Sequence, residues 1–280
     1  MRILFLSLFL VFTAADSRAF YAILDTNTVR EGGIIKLKMA DREEIMAAEV
    51  SFLGERYPVF YRGFSLKDRK YEYTALIPVP LDAKGRKNMV ISCRPRRGTM
   101  RSLTERVEIK PLAFEHSVVN TGGQMDSEML AALRREGRMI SQFQERVTPV
   151  KYDMPFIWPV EGRITSTFGK SRVYDSGDAG WRHKGIDIAA RTGTNVRAAN
   201  SGTVATGSST KAYGNIAIID HGGGVYSLYY HMHRVFVRKG DRVSKGDVIG
   251  TVGSTGISTG PHLHWQVNIF KVPVNPNDLF

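Results

Sequence analysis

Between residues 20 and 112, apolar and polar positions alternate with a period of two. Ile35, Leu37 and Met39 are separated by Lys36 and Lys38, the pattern of a half-buried strand. Further short apolar stretches lie at 48–53, 71–79, 89–93 and 106–109. Turn-formers at Gly54, Gly63, 82–85 and 95–98 divide them. Short strands at this spacing predict a small β-sandwich of immunoglobulin-like type, although the Cys…Trp…Cys signature is missing. The pattern changes after residue 112. Thr121-Gly122-Gly123 breaks the chain, and Asp126 is placed to cap a helix running to about Arg146, with Met129, Leu133, Ile140 and Phe143 roughly on one face. Such a stripe packs on a neighbouring domain, and Thr148-Pro149 ends the helix. From Asp153 onward the chain reads strand, turn, strand. Residues 216–220 and 225–230 flank the hairpin turn His221-Gly222-Gly223-Gly224, and 235–237 and 248–252 bracket the segment 239–246. No helical periodicity appears there, so this part is expected to be an antiparallel β domain.

Residues 260–267, Gly-Pro-His-Leu-His-Trp-Gln-Val, continue the pattern. As a strand, they put His262 and His264 on one face and Leu263 and Trp265 on the other. A second His-x-His pair, His231 and His233, shows that this spacing alone is a weak signal.

The N-terminus stands apart. Arg2 precedes an apolar run from Ile3 to Ala15, followed by Asp16-Ser17-Arg18-Ala19. This predicts a secretory signal over residues 1–19 cleaved after Ala19, with Ala15 as the competing site, and no stable membrane anchor once it is removed. Cys93 is the single cysteine among 280 residues, which excludes an intrachain disulfide and every multi-cysteine zinc arrangement. The formal net charge is +12, and +11 without residues 1–19. Such a balance draws an exported protein to anionic envelope polymers. Nucleic acid is the other reading of a basic chain, but export and the lack of a recognition-helix or stacking motif speak against it.

Chemistry enters with His183-Lys184-Gly185-Ile186-Asp187-Ile188-Ala189. Positions four apart on an extended segment share a face, so His183 and Asp187 are placed to converge on one ion. Zinc hydrolases use three N or O ligands and leave a fourth position for water. His183, Asp187 and one histidine of the 262/264 pair meet that requirement. Zinc brings the pKa of a bound water to ~7 and polarises the carbonyl under attack. The other histidine of the pair, or His231, would take the proton from that water; His231 would alternatively donate to the developing oxyanion. The glycines between 250 and 260 lack the Gly-Lys-Ser/Thr ending of a phosphate loop and read as turns.

Residues 158–279 resemble the lysostaphin/LytM-type zinc metalloendopeptidases, which are peptidoglycan hydrolases of bacterial cell walls. The resemblance rests on Trp158-Pro159-Val160-Glu161-Gly162, Ser166-Thr167-Phe168-Gly169, the 183–189 segment, Tyr213-Gly214-Asn215 and Ile219-Asp220-His221-Gly222. It continues through Leu228-Tyr229-Tyr230-His231, the segment 243–250, Gly253-Ser254-Thr255-Gly256 and Gly260-Pro261-His262-Leu263-His264. The resemblance implies that His183, Asp187 and His264 hold Zn2+ and that His262 and His231 are the unligated catalytic pair. None of the five is substituted, unlike the relatives that have lost metal and act as amidase activators. His233 falls at a variable position and reads as exposed or at a groove edge, His221 reads as structural, and His116 has no assignable role. Two departures bear on specificity. The segment 169–181, carrying Lys170, Arg172, Tyr174, Asp175 and Asp178, is expected to form a groove wall, and Tyr230 and Met232 are expected to narrow the groove.

The expected organisation is thus mainly β: a signal peptide (1–19), an immunoglobulin-like β-sandwich (20–112), a short helical linker (113–150) and an antiparallel β-sheet peptidase domain (151–280). The expected function is an exported zinc metalloendopeptidase that hydrolyses peptide cross-links of peptidoglycan through a metal-activated water. Its expected location is the periplasm, with the extracellular space or cell wall as the alternative. The rival expectations are a latent or non-catalytic wall-binding regulator, autoinhibited by the N-terminal region, and a carboxypeptidase that trims stem peptides.

Overall fold

The computed structural model describes residues 20–112, 116–119, 127–174 and 181–280. The expected signal segment, the breaker at 121–123, the Asp126 cap and wall residues Asp175 and Asp178 lie outside them. The described chain is mainly β, with one α-helix, and separates into two compact units, one ending at Pro111 and the other beginning at Leu112. No helix is long and apolar enough to cross a membrane.

The first unit holds two sheets. One orders Tyr21–Leu24, Ile34–Asp41, Lys70–Pro78 and Phe60–Ser65; the other orders Thr28–Arg30, Arg101–Lys110, Gly85–Pro95, Ile45–Phe52 and Glu55–Pro58. The alternation at 35–39 is realised as burial of Ile35, Leu37 and Met39, while Lys38 is exposed. Thr28–Arg30 pairs in parallel with Arg101–Lys110, a contact between residues some eighty positions apart that local alternation does not encode. The sheets are tied by the Tyr73 hydroxyl, which accepts the Ile45 N–H at 2.7 Å. Burial pushes the Cys93 thiol up to about 11, so this cysteine is a core residue and not a nucleophile.

The second unit is built on an eight-stranded sheet. Its main path runs Arg163–Ser166, Ile186–Ala189, His262–Ile269, Val225–Met232, Gly214–Gly222, Gly202–Thr210 and Arg242–Val243, and Val272–Val274 pairs alongside His262–Ile269. Neighbours along this path are antiparallel. One sheet face buries Leu263, Trp265, Val267 and Ile269. The other carries His262, His264, Gln266 and Asn268, and register places Tyr230, Leu228 and Tyr226 opposite the last three.

The helix, Ser127–Gln142, packs on this second face. Ile140 joins Ile216, Ile218, Tyr226, Leu228 and Tyr230 in one cluster, with Phe143 against it. The expected stripe is therefore genuine, but its centre is Ala132, Glu136 and Ile140, while Met129 and Leu133 are only half-buried. Glu136 is buried because its carboxylate accepts two backbone N–H groups, from Lys211 at 3.1 Å and Ala212 at 2.8 Å. The helix stops four residues short of the expected Arg146. Gln144 and Glu145 donate instead to Ser141 and Gln142, a tighter i→i+3 turn. A short strand, His116–Val119, lies in the expected linker segment ahead of the expected helix, and pairs in parallel with Ser171–Tyr174. A 3-10 turn at Pro276–Leu279 is a second departure from the all-strand expectation.

His221 lies within the Gly214–Gly222 strand, not after it, and is fully buried. Its Nδ1–H donates to the Ser201 carbonyl at 2.8 Å, and Nε2 lies 2.7 Å from Ser227 Oγ. Burial pushes its pKa from 6.5 down to about 4, against the opposing hydrogen bond to Ser201. The unfolded chain takes up this proton first as pH falls. The stabilisation from keeping His221 neutral is therefore complete above about pH 6.5 and is lost towards pH 4, an effect of about 3 kcal/mol. An NMR titration should find the His221 ring resonances at neutral-form positions down to about pH 5; a midpoint near 6.5 would contradict this environment.

Candidate functional site

Three donors, two on paired strands and one on the segment before the first of them, converge on the polar face. Asp187, in the Ile186–Ala189 strand, pairs directly with His264 in the His262–Ile269 strand. His183 comes from the segment just before. It does not share a continuous strand with Asp187, as an extended His-x-x-x-Asp segment would require. The chain bends at Gly185, and His183 pairs instead with Lys170 and Gly169 through backbone hydrogen bonds. The bend still delivers the side chain. His183 Nε2 lies 3.0 Å from Asp187 Oδ1 and 3.0 Å from His264 Nδ1, and His264 Nδ1 lies 2.8 Å from the same carboxylate oxygen. These three are the one group of His, Cys, Asp and Glu among the described residues arranged to share a metal ion, and all three are buried.

The protonation pattern tests whether a cation fits. His183 Nδ1 is 2.9 Å from the Thr167 carbonyl, which can only accept, so the ring hydrogen sits on Nδ1 and Nε2 presents a lone pair. That lone pair faces the Asp187 carboxylate. Acceptors confronting one another at such distances call for positive charge between them. Zinc bonds of about 2.0–2.1 Å place ligand atoms roughly 3.3 Å apart in a tetrahedron, close to the spacing here. Two imidazoles and one carboxylate are also a donor set that zinc accepts. The residues therefore fit a zinc ion, bound by His183 through Nε2 and His264 through Nδ1.

The other two histidines border this cluster. His262 Nε2 lies 4.0 Å from Asp187 Oδ1, and the His231 and His262 ring centroids are 4.9 Å apart. His262 donates from Nδ1 to the Gly260 carbonyl at 2.8 Å, and His231 from Nδ1 to the Thr255 carbonyl at 2.8 Å. Both rings thus turn Nε2 away from these anchors. His231 adopts φ +61°, a left-handed conformation unfavourable for a side chain with a Cβ. Its own backbone holds it there, with N–H donating to the Tyr213 carbonyl at 3.1 Å. Burial, and then the neighbouring His262 and His264, push its pKa down to about 3, so the ring is neutral.

A cavity of about 580 Å³ opens over the cluster. Its walls include Lys170, Arg182 and Lys184 on one side and the helix residues Leu133, Gly137 and Ser141 on another. Of the expected wall segment, Lys170 is thus in place. Tyr230 lines the cavity and stacks on His264, with ring centroids 5.3 Å apart and planes at 7°. Met232 is fully buried. His233 is exposed and takes no part in the cluster. Sequence reasoning missed the carbonyl anchors, the Tyr230 stack and the helix wall. It also missed Gly185, where an added Cβ would lie 2.4 Å from the Trp265 carbonyl and 2.8 Å from His264 Nε2. Gly185→Ala should therefore push the His264 ring out of place and weaken zinc binding at least tenfold, as loss of ligand support typically does. Competition with a chromogenic chelator measures this, and unchanged affinity would show that the ring does not depend on the gap.

Comparison with known proteins adds to the geometry. Residues 181–276 match the model of peptidase family M23. The DD-carboxypeptidase/endopeptidase Mpg of Neisseria meningitidis serogroup B is 48% identical over 97 residues, which is 34% of this chain and 22% of that protein. The murein hydrolase activator NlpD of Escherichia coli is 38% identical over 120 residues, 42% of this chain and 29% of that protein. The chain thus spans less than a third of the length of these curated relatives. A crystal structure of a Pseudomonas aeruginosa protein described as an M23 peptidase covers 89% of this chain and 93% of its own, at 24% identity and a TM-score of 0.65, which shows the shared fold.

Proposed function

The chain carries a peptidase family M23 domain at residues 181–276, and from that we propose that it is an exported zinc endopeptidase that cuts peptide cross-links in peptidoglycan. The observation that carries this reading is the convergence of His183 Nε2, Asp187 Oδ1 and His264 Nδ1 within 2.8–3.0 Å of one another, with His262 and His231 bordering them. When bound, zinc supplies an acidified water and a Lewis acid for the carbonyl. The protein's own residues do the rest. His262 and His231 hold their ring hydrogens on backbone carbonyls and present Nε2 to the cleft, where His262 accepts the proton released by the attacking water. The same group, once protonated, gives the proton to the departing amine. The cavity walls orient the peptide and exclude bulk water.

Murein-hydrolase activators sit among the relatives, so a regulator without catalysis is the rival reading. The presence of all five histidine and aspartate positions favours catalysis. Mpg is described as both carboxypeptidase and endopeptidase, so the two peptidase readings are separated by product and not by site.

Digestion of purified peptidoglycan by the zinc-loaded protein, followed by mass spectrometry, tests the proposal. Cross-linked muropeptides should fall to monomers, whereas loss of a terminal residue from uncross-linked stems alone would identify a carboxypeptidase. His262→Ala should retain about one zinc per chain and lose about 10²- to 10⁴-fold in kcat, as removal of a general base does. Metal-loaded protein that leaves every muropeptide intact would sink the catalytic reading. A chelator should abolish cleavage and added zinc restore it.

A further inference from the structure

The polar face of the His262–Ile269 strand does not stop at the histidines. Gln266 and Asn268 extend the row at alternate positions, both buried and both lining the cavity. Gln144, just past the helix, completes a chain of three amides. Gln144 Nε2 lies 3.1 Å from the Ile140 carbonyl, which can only accept. This single contact orients the whole set. Gln144 must turn Oε1 to Asn268 Nδ2, at 2.6 Å, and Asn268 must turn Oδ1 to Gln266 Nε2, at 2.7 Å. Every amide N–H then runs towards the helix. Gln266 Oε1 is left as the acceptor end of the chain, with no hydrogen bond to any described residue, in a side chain that borders the cavity.

Gln266 shares its strand face with His264, two residues away, or about 7 Å along the strand. For an extended peptide laid along this strand, with the same rise, a backbone N–H about two residues from the attacked bond falls beside this oxygen. An acceptor held by a polarised amide chain costs free energy once a bound substrate covers it without offering a donor. We propose that Gln266 is a specificity-determining residue whose Oε1 accepts a backbone amide N–H of the substrate peptide, with Asn268 and Gln144 as positioning residues that fix its orientation. The proposal rests on the peptidase reading above and adds a subsite to it. It also gives the helix a part in the cleft, since the orienting carbonyl belongs to the helix's last turn.

The test uses the full zinc-loaded chain and cross-linked peptides in which one non-scissile amide N–H at a time is replaced by an ester oxygen. Cleavage kinetics are read beside calorimetric peptide affinity. With the wild type, one ester position should raise KM about tenfold, the worth of one aligned hydrogen bond, with kcat within about twofold. Gln266→Met should show that higher KM with the all-amide peptide, and the same ester should then change KM less than twofold. Gln266→Leu removes the acceptor in the same way and should lose the discrimination too. It also serves as the second variant if the methionine side chain disturbs folding, which thermal melting reports. Equal KM for every ester peptide with the wild type, or undiminished ester sensitivity in Gln266→Met, overturns the subsite while leaving the peptidase reading intact. A wild type that neither cleaves nor binds the all-amide peptide overturns both.

Discussion

The site depends on the antiparallel register between the Ile186–Ala189 and His262–Ile269 strands. That register sets Asp187 against His264 and Ile186 against Trp265. Because side chains alternate faces, a slip of one residue would send His264 into the core and bring Trp265 to the cleft. Leu263, Trp265, Val267 and Ile269 are all fully buried on the far face, so such a slip would uncover four large apolar side chains, each worth about 1.5–3 kcal/mol of burial. The hydrophobic core on one side of the sheet therefore enforces the donor geometry on the other.

A second layer of control is the protonation state of each ring. His183, His231 and His262 each commit Nδ1–H to a main-chain carbonyl, those of Thr167, Thr255 and Gly260. A carbonyl cannot donate, so each anchor selects one tautomer and frees Nε2 for the cleft. His231 carries the largest backbone cost, a left-handed φ beside two further histidines. Strain of this kind persists where surrounding contacts over-determine the conformation, as the Tyr213 and Thr255 main chains do here.

The helix is part of the same face. Glu136 satisfies two backbone amides of the 211–212 turn, Ile140 fills the hydrophobic cluster around Tyr230, and Gln144 closes the amide chain from Asn268. These contacts combine burial with matched polar pairs, and they join a segment expected as a linker to the second unit. Tyr230 connects the two regions, packing with the helix cluster and stacking on His264.

Local sequence determined a good deal. The alternation in the last forty residues places two histidines on one face and two large apolar residues on the other, because strand side chains have a period of two. The donor types restrict the metal to one that accepts nitrogen and oxygen, since the single cysteine is buried in the first unit. The apolar stripe on the helix follows from its 3.6-residue period, though only packing decided that Glu136 belongs inside it. What the tertiary structure alone decided are the contacts between residues distant in sequence. The His183 ring is fixed by a carbonyl sixteen residues away and meets a histidine eighty-one residues away, and the Gln144–Asn268 bond spans 124 positions. Ring tautomers, strand register and amide orientation all depend on such partners. No periodicity within a single segment carries them, because the groups that select each state are supplied by a different part of the chain.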